Sequence, residues 1–325
     1  MNLKRIIIGP LLSLVFLVFF AYMISNLQLI FNSYLPTNVR DISLGDISAS
    51  TQNLIPENEA YLNTNVVDSN NLSAATEPII TNNAEILINA KSAISIQSNL
   101  FGENKVIFEK NSDALLPIAS LTKLMTAVIV LDNYNLSDTW EVSERASKQS
   151  STGQDVVLGS TMSINSFLQI MLIQSSNRSA YALSEIIGTQ KFVELMNQKA
   201  KELSLANTSF VDPTGISSKN VSTAKDLAKL TEYILKNYPK IADISKSKKL
   251  YIIGFGNVIN TDQLLGEIPE IVCSKTGFTT SAKGCLLLAI SNPKNNDYFI
   301  NVVLGAEERF SEMKKLINLS SATCK

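Results

Sequence analysis

Between Ser120 and Leu131 the chain reads as a helix with no polar stripe: beyond Thr126 the residues Ala127, Val128, Ile129, Val130 and Leu131 follow one another, after Leu124 and Met125. A surface helix keeps a polar face, whereas a helix apolar all round is buried. The segment is therefore predicted to run through the centre of a domain, with other elements wrapped around it. Before it, Ala84–Ala90 and Ser92–Gln97 read as a strand pair or one bent strand. Residues 99–104 form a turn, and Lys105–Lys110 alternates as the next strand. After it, helical patterns cover 164–174, 179–187 (stopped by Gly188), 190–203 and 223–236. Strands are predicted at 271–276, 285–290 and 298–304, with Lys-Asn-Asn-Asp as a hairpin turn between the last two, and a final helix at 307–319. Strands at both ends and helices between them predict one α+β domain over residues 84–325. Its terminal strands share an antiparallel sheet flanked by helices, with the buried helix beneath.

The same helix carries Ser120 and Lys123. Residues i and i+3 share a helical face, so the hydroxyl and the ammonium can meet. A lysine on an apolar helix is buried with a partner, or else it snorkels to the surface, and the missing polar stripe favours burial. Composition narrows the chemistry further. The 325 residues include no His and three Cys. No Ser-His-Asp triad, Cys-His dyad or His-based zinc site can exist, and three Cys alone complete no structural zinc site. Any general base must be a lysine, a carboxylate, a tyrosine or a water held by one of them. No metal or cofactor is expected. A net charge of -1 gives no electrostatic footprint for nucleic acid.

Two further short motifs follow. Ser175-Ser176-Asn177 lies between two predicted helices, and Lys275-Thr276-Gly277 lies near the end of a predicted strand. Taken alone, the first reads as a plain polar loop and the second as a strand end with a turn glycine. Their order and spacing decide: Ser-x-x-Lys, then Ser-x-Asn about 55 residues later, then Lys-Thr-Gly about 100 later still. This set resembles the penicillin-recognising serine enzymes, and the chain is similar to the D-alanyl-D-alanine carboxypeptidases, the low-molecular-mass penicillin-binding proteins. The flanks carry the resemblance too. They include Leu116-Pro-Ile-Ala-Ser-Leu-Thr-Lys-Leu-Met-Thr-Ala127, Met171-Leu-Ile-Gln-Ser-Ser-Asn177, Phe210-Val-Asp-Pro-Thr-Gly-Ile216, Ser222-Thr-Ala-Lys-Asp-Leu-Ala228, Asn260-Thr261 before Leu264-Leu265, and Lys275-Thr-Gly-Phe-Thr279.

The resemblance implies a β-lactamase/transpeptidase-like fold and a serine-type D-Ala-D-Ala carboxypeptidase acting on peptidoglycan stem peptides, with β-lactam antibiotics as acylating inhibitors. Ser120 would be the nucleophile and Lys123 its base. Ser175 would relay a proton, Asn177 would hold Lys123 and the substrate amide, and Lys275 would keep the Lys123 pKa low. Thr276 and Lys275 would hold the terminal carboxylate. Gly277 and Phe278 would shape the oxyanion hole, whose donors are the N–H groups of Ser120 and Phe278. Arg309 resembles a carboxylate-binding arginine, and reads equally as a solvated charge at a helix start. Departures from the family pattern are Asp212 for Asn, Arg178 for an acidic residue, and Lys283 for Gly. A DD-endopeptidase and a catalytically inactive wall-binding protein remain the alternatives. A class A β-lactamase is disfavoured, since no convincing Glu-x-x-Leu-Asn segment lies between the second and third motifs.

Ahead of the domain, Ile6–Ile24 runs 19 residues without a charge after Lys4 and Arg5, about enough to span a ~30 Å hydrocarbon core. We read residues 1–24 as an uncleaved single-pass membrane anchor rather than a cleaved signal. Lys4 and Arg5 stay cytoplasmic and the catalytic domain lies outside. It would replace the C-terminal anchor of many relatives, whose β-rich second domain is not expected here. Residues 25–83, rich in Asn, Ser, Thr and Asp, read as a disordered extracytoplasmic linker. Cys273 and Cys285 read as two buried free thiols, or as a pair across the sheet. Cys324 reads as exposed.

Overall fold

In the computed structural model, which describes residues 87–322 apart from 101, 103, 152, 293 and 296, the apolar segment forms helix α1, Thr122–Asn133. Every residue from Thr122 to Val130 is buried, Lys123 included. The helix begins two residues later than its pattern predicts. Ala119–Leu121 forms a separate 3-10 turn, because Ala119 adopts φ +47°, which interrupts the α-helical run. A left-handed alanine costs about 1–2 kcal/mol, so the turn has to be held from outside. Thr122 Oγ1 donates to Ala119 O at 2.8 Å, and Ile118 N donates to Asn220 O at 3.1 Å.

Strand β1 (Ser92–Ser98) and strand β2 (Asn104–Lys110) form a hairpin near the start of the domain. Three short strand pairs follow: β3 (Leu116–Pro117) with β6 (Val221–Ser222), β4 (Thr139–Glu141) with β5 (Thr161–Ser163), and β7 (Lys249–Ile252) with β8 (Gly256–Ile259). Strands β9 (Ile271–Thr279), β10 (Lys283–Ser291) and β11 (Tyr298–Ala306) then complete an antiparallel sheet of order β2-β1-β11-β10-β9. The first and last strands of the domain thus share one sheet, as expected.

The remaining helices are α2 (Glu144–Ser147), α3 (Ile164–Ile173), α4 (Asn177–Glu185), α5 (Thr189–Glu202), α6 (Ala224–Asn237), α7 (Pro239–Ser245) and α8 (Arg309–Ala322). Side-chain hydroxyls cap four of them. Ser143, Ser163, Ser176 and Thr223 accept from the backbone N–H three residues on, at the starts of α2, α3, α4 and α6. Along β10, Leu286, Leu288 and Ile290 face one core, which α8 covers with Met313 and Leu316. Cys285, Leu287 and Ala289 face the other, with Leu124, Met125 and Val128 of α1. Both sheet faces are therefore covered, which is why β10 reads as an unbroken apolar run from Cys285 to Ile290.

Several expectations need correction. Residues 87–90 are not strand, so β1 is a single strand from Ser92. Helix α7, with Pro239 in its first turn, and the β7–β8 hairpin were not predicted. The Lys275-Thr276-Gly277 motif lies inside β9, which continues to Thr279. Cys273 and Cys285 are two buried free thiols, the first of the two readings, and do not pair across the sheet. They stand opposite Ala289 and Gly277 respectively, four ladder positions apart. The apolar run 6–24, the stretch 25–83, residues 84–86 and Cys324 lie outside the described residues. Among the described residues, no helix is long and apolar enough to cross a membrane.

Candidate active site

Helix α1, the α3–α4 junction and a loop at 212–217 meet at the amine of Lys123. The i, i+3 spacing brings its Nζ to 2.9 Å from Ser120 Oγ. Across the site, Asn177 Oδ1 accepts from Nζ at 2.8 Å and the Thr214 carbonyl accepts at 2.6 Å. The side chain is fully buried. Burial drives its pKa well below the ordinary lysine value, and the nearby Lys275 charge adds to that, with Asp212 and Asp155 opposing.

The Asn177 amide is oriented by its second contact. Its Nδ2 donates to the Ser150 carbonyl at 3.1 Å and to Ser150 Oγ at 3.0 Å. A carbonyl only accepts, so the NH₂ must face Ser150, and Oδ1 is left for Lys123. Arg178, the departure beside Asn177, ties down the same loop by donating to the carbonyls of Gln149 and Val156. Ser176 caps α4 and donates to Asp155 Oδ1 at 2.6 Å.

Ser175 precedes that cap in a left-handed conformation, φ +64°. This strain lifts its hydroxyl out of the α3–α4 junction toward β9, where Lys275 Nζ lies 2.9 Å away. Lys275 also donates to the Thr276 carbonyl at 3.0 Å. Burial first, and then the charge of Arg309, lowers its pKa to about 7, while the Asp262 carboxylate opposes them. Asp262 is itself buried. Burial raises its pKa, although it accepts from Ser274 Oγ at 2.6 Å. Thr276 Oγ1 lies 2.5 Å from Thr261 Oγ1.

Strand β9 is the edge of the sheet, and it packs directly on the 3-10 turn that carries Ser120. Gly277 makes this approach possible. A Cβ there would stand 3.1 Å from each of Ala119 Cβ, Ile118 O and Ser120 N. The chain at Gly277-Phe278 therefore runs beside the Ser120 amide, where the expected oxyanion donors belong, and the Phe278 ring is exposed. Arg309 starts α8 behind this strand. Its Cβ lies 3.0 Å from where a Gly284 Cβ would be, its guanidinium stacks on Phe310, and its buried Nε has no partner. Lys283, the departure from Gly, is left-handed at φ +57°, the conformation that favours glycine there.

Ser120, Lys123 and Asn177 thus form one hydrogen-bonded group, and Ser175 and Lys275 form a second near enough for the Lys275 charge to act on Lys123. The residue-level reading missed Ser150, the Asp155 and Asp262 carboxylates, the Thr214 carbonyl and the carboxylate of Asp212. A backbone carbonyl leaves no residue-type signature, so Thr214 could be found only through its loop. Among the described residues, no group of three or more His, Cys, Asp and Glu side chains could hold a metal ion.

The family model of the D-alanyl-D-alanine carboxypeptidases matches residues 79–308. The D-alanyl-D-alanine carboxypeptidase DacF of Bacillus subtilis is 32% identical over 252 residues, 73% of this chain and 63% of that protein. A D-alanyl-D-alanine endopeptidase of Escherichia coli is 35% identical over 227 residues, 66% of this chain and 72% of the relative. Among solved structures, penicillin-binding protein D2 of Listeria monocytogenes in its cefotaxime-bound form aligns with a TM-score of 0.63 at 27% identity, covering 72% of this chain and 97% of that one. The Streptomyces K15 DD-transpeptidase aligns with a TM-score of 0.65 at 26% identity, covering 73% and 98%. The fold is that of the penicillin-binding proteins and DD-transpeptidases.

Proposed function

The chain belongs to the D-alanyl-D-alanine carboxypeptidase family, and from that premise we propose that it is a serine-type D-Ala-D-Ala carboxypeptidase that removes the terminal D-alanine from peptidoglycan stem peptides. One observation carries the proposal. Of the three partners of Lys123 Nζ, Asn177 Oδ1 and Thr214 O can only accept, whereas Ser120 Oγ can also donate. A neutral amine has two N–H groups and one lone pair. The two acceptors take the N–H groups, and the lone pair is left facing the Ser120 hydroxyl. With its pKa lowered by burial and by Lys275, Lys123 is a base for that proton.

Ser120 then attacks the carbonyl between the two D-alanines, and its proton passes to Lys123. The N–H groups of Ser120 and Phe278 stabilise the oxyanion. Ser175, bonded to Lys275, relays a proton to the leaving D-alanine nitrogen. Lys275, Thr276 and Arg309 receive the terminal carboxylate, and Asn177 steadies Lys123 and the substrate amide. Water, activated again by Lys123, splits the acyl-enzyme. β-Lactams would acylate Ser120 by the same route, a reading supported by the antibiotic-bound Listeria relative.

A second reading, a DD-endopeptidase that cuts cross-links, is supported by the Escherichia coli relative, which is matched over more of its length than the Bacillus carboxypeptidase. The inactive wall-binding reading is weakened by the intact set of Ser120, Lys123, Ser175, Asn177 and Lys275. We propose further that residues 1–24 anchor the protein in the cell membrane by a single span and that 25–83 tether residues 84–325 outside it. The support is the 19-residue uncharged run behind Lys4 and Arg5. Release of D-alanine from a pentapeptide, measured beside cleavage of a cross-linked dimer, separates the two enzymatic readings. Release from the pentapeptide is expected, and cleavage of the dimer alone would replace the first reading with the second.

A further inference from the structure

The carboxylate of Asp212 does not touch Lys123, yet it organises what does. Its Oδ1 accepts from Thr214 N at 2.7 Å, Thr214 Oγ1 at 2.6 Å and Gly215 N at 2.7 Å, and its Oδ2 accepts from Ser217 N at 3.0 Å. Four donors converging on one carboxylate wind residues 212–217 around it. The backbone of Asp212 is pinned separately. Buried Asn220 accepts from Val211 N and Asp212 N through Oδ1, and donates from Nδ2 to Asp212 O and Thr122 Oγ1. The loop so formed lies across the first turns of α1. Thr126 Oγ1 donates to Pro213 O at 2.7 Å, and Lys123 Nζ donates to Thr214 O at 2.6 Å.

We propose that Asp212 is a positioning residue for the proton-transfer pair: its carboxylate folds the 212–217 loop so that the Thr214 carbonyl is aimed at Lys123 Nζ, and its negative charge acts on that amine through space. The proposal rests on reading Lys123 as the base. Three charged groups act on Lys123: Lys275 from β9, Asp155 from the loop after α2, and Asp212. Lys275 favours the free amine, while the two carboxylates favour the ammonium, Asp212 more than Asp155. Asp212 therefore does two separable things. The loop geometry needs an acceptor at Oδ1, and the electrostatic effect needs a full negative charge.

Asparagine separates them. In Asp212→Asn the Oδ1 acceptor and its three donors are retained, the Ser217 bond is lost, and the charge is removed. Two measurements on the full chain read the result. The first is the titration of Lys123 by NMR of ¹³Cε-labelled lysine, with the resonance assigned by its loss in Lys123→Ala. The second is the pH profile of acylation by a fluorescent penicillin. Asp212→Asn is expected to lower the Lys123 pKa by about half a unit or more. The acid limb of acylation should move down in pH by the same amount, with the plateau largely kept. Asp212→Ala, which removes the acceptor as well, is expected to lose about tenfold or more of the acylation rate at every pH. An unmoved Lys123 titration in Asp212→Asn overturns the electrostatic half of the proposal. A folded Asp212→Ala that acylates at the wild-type rate overturns the positional half. Failure of the wild type to acylate at all would instead sink the functional reading, and the NMR titration would still decide whether Asp212 acts on Lys123.

Discussion

Lys123 Nζ stands 2.9 Å from Ser120 Oγ, and its other two partners, Asn177 Oδ1 and Thr214 O, are acceptors that have no proton to give. Of these three partners, Ser120 alone carries a proton that a neutral Lys123 can receive. Substituting Lys123 by Arg keeps a cation but supplies no base near neutral pH. Lys123→Arg and Lys123→Met are both expected to lower the acylation rate by about 10²–10⁴-fold, the range of general base catalysis. Because the acid limb reports protonation of the base, it is expected to vanish with Lys123, while loss of the Lys275 proton near pH 7 acts on the alkaline side. Stopped-flow acylation across pH 5–9 checks this.

Lys275 links the site to stability. In the folded chain burial and Arg309 bring its pKa to about 7, whereas an unfolded lysine keeps its proton to ~10.4. Between those values the unfolded chain binds the extra proton, so stability rises with pH. The buried thiols Cys273 and Cys285, pushed up to about 11, act in the opposite direction above ~8.5, and they are common to wild type and variant. Denaturant unfolding at pH 7 and at pH 8.5 is expected to show a larger gain for wild type than for Lys275→Met. Equal gains would contradict the depressed pKa.

Arg309 carries an unpartnered buried Nε and lies close enough to Lys275 to lower its pKa. If it receives a substrate carboxylate, Arg309→Ala should raise KM for a pentapeptide ending in a free carboxylate by about tenfold, with kcat changed less. A peptide ending in an amide should lose almost nothing further. Steady-state kinetics on the two peptides makes the comparison, and an equal loss on both would remove Arg309 from substrate binding.

Gly215 holds the loop against the nucleophile turn. It adopts φ +87°, and a Cβ there would lie 2.0 Å from Ala119 O and 2.9 Å from Thr122 Oγ1. Gly215→Ala adds left-handed strain of about 1–2 kcal/mol to a backbone clash. A loss of about 3 kcal/mol or more is expected in equilibrium unfolding, with acylation falling in whatever protein still folds. A change under 1 kcal/mol would mean the loop is not clamped there.

What could be read from the sequence divides along physical lines. The spacing of Ser120 and Lys123 and the apolar run behind them forecast a buried Ser-Lys pair, because i, i+3 geometry and amphipathicity are local properties. The sheet followed from strands at both ends of the domain. The 3-10 turn did not, because Ala119 is not a residue type that signals a left-handed backbone, and the turn's neighbours, the Asn220 carbonyl and the closely approaching Gly215 and Gly277, are distant in sequence. Asp212 was visible only as a departure from a family pattern. Its part in the site depends on backbone donors at 214, 215 and 217, which every sequence supplies. The β7–β8 hairpin escaped because Lys249–Ile259 carries neither strict alternation nor a two-residue hairpin turn signal.

The most direct test of the central claim is covalent labelling of the purified chain by a fluorescent penicillin, read on a denaturing gel for wild type and Ser120→Ala. The account expects a stable one-to-one adduct on wild type, with mass spectrometry placing it on the peptide that contains Ser120, and no adduct on Ser120→Ala. Labelling that survives in Ser120→Ala would contradict the assignment of Ser120 as the nucleophile, and with it the role given to Lys123.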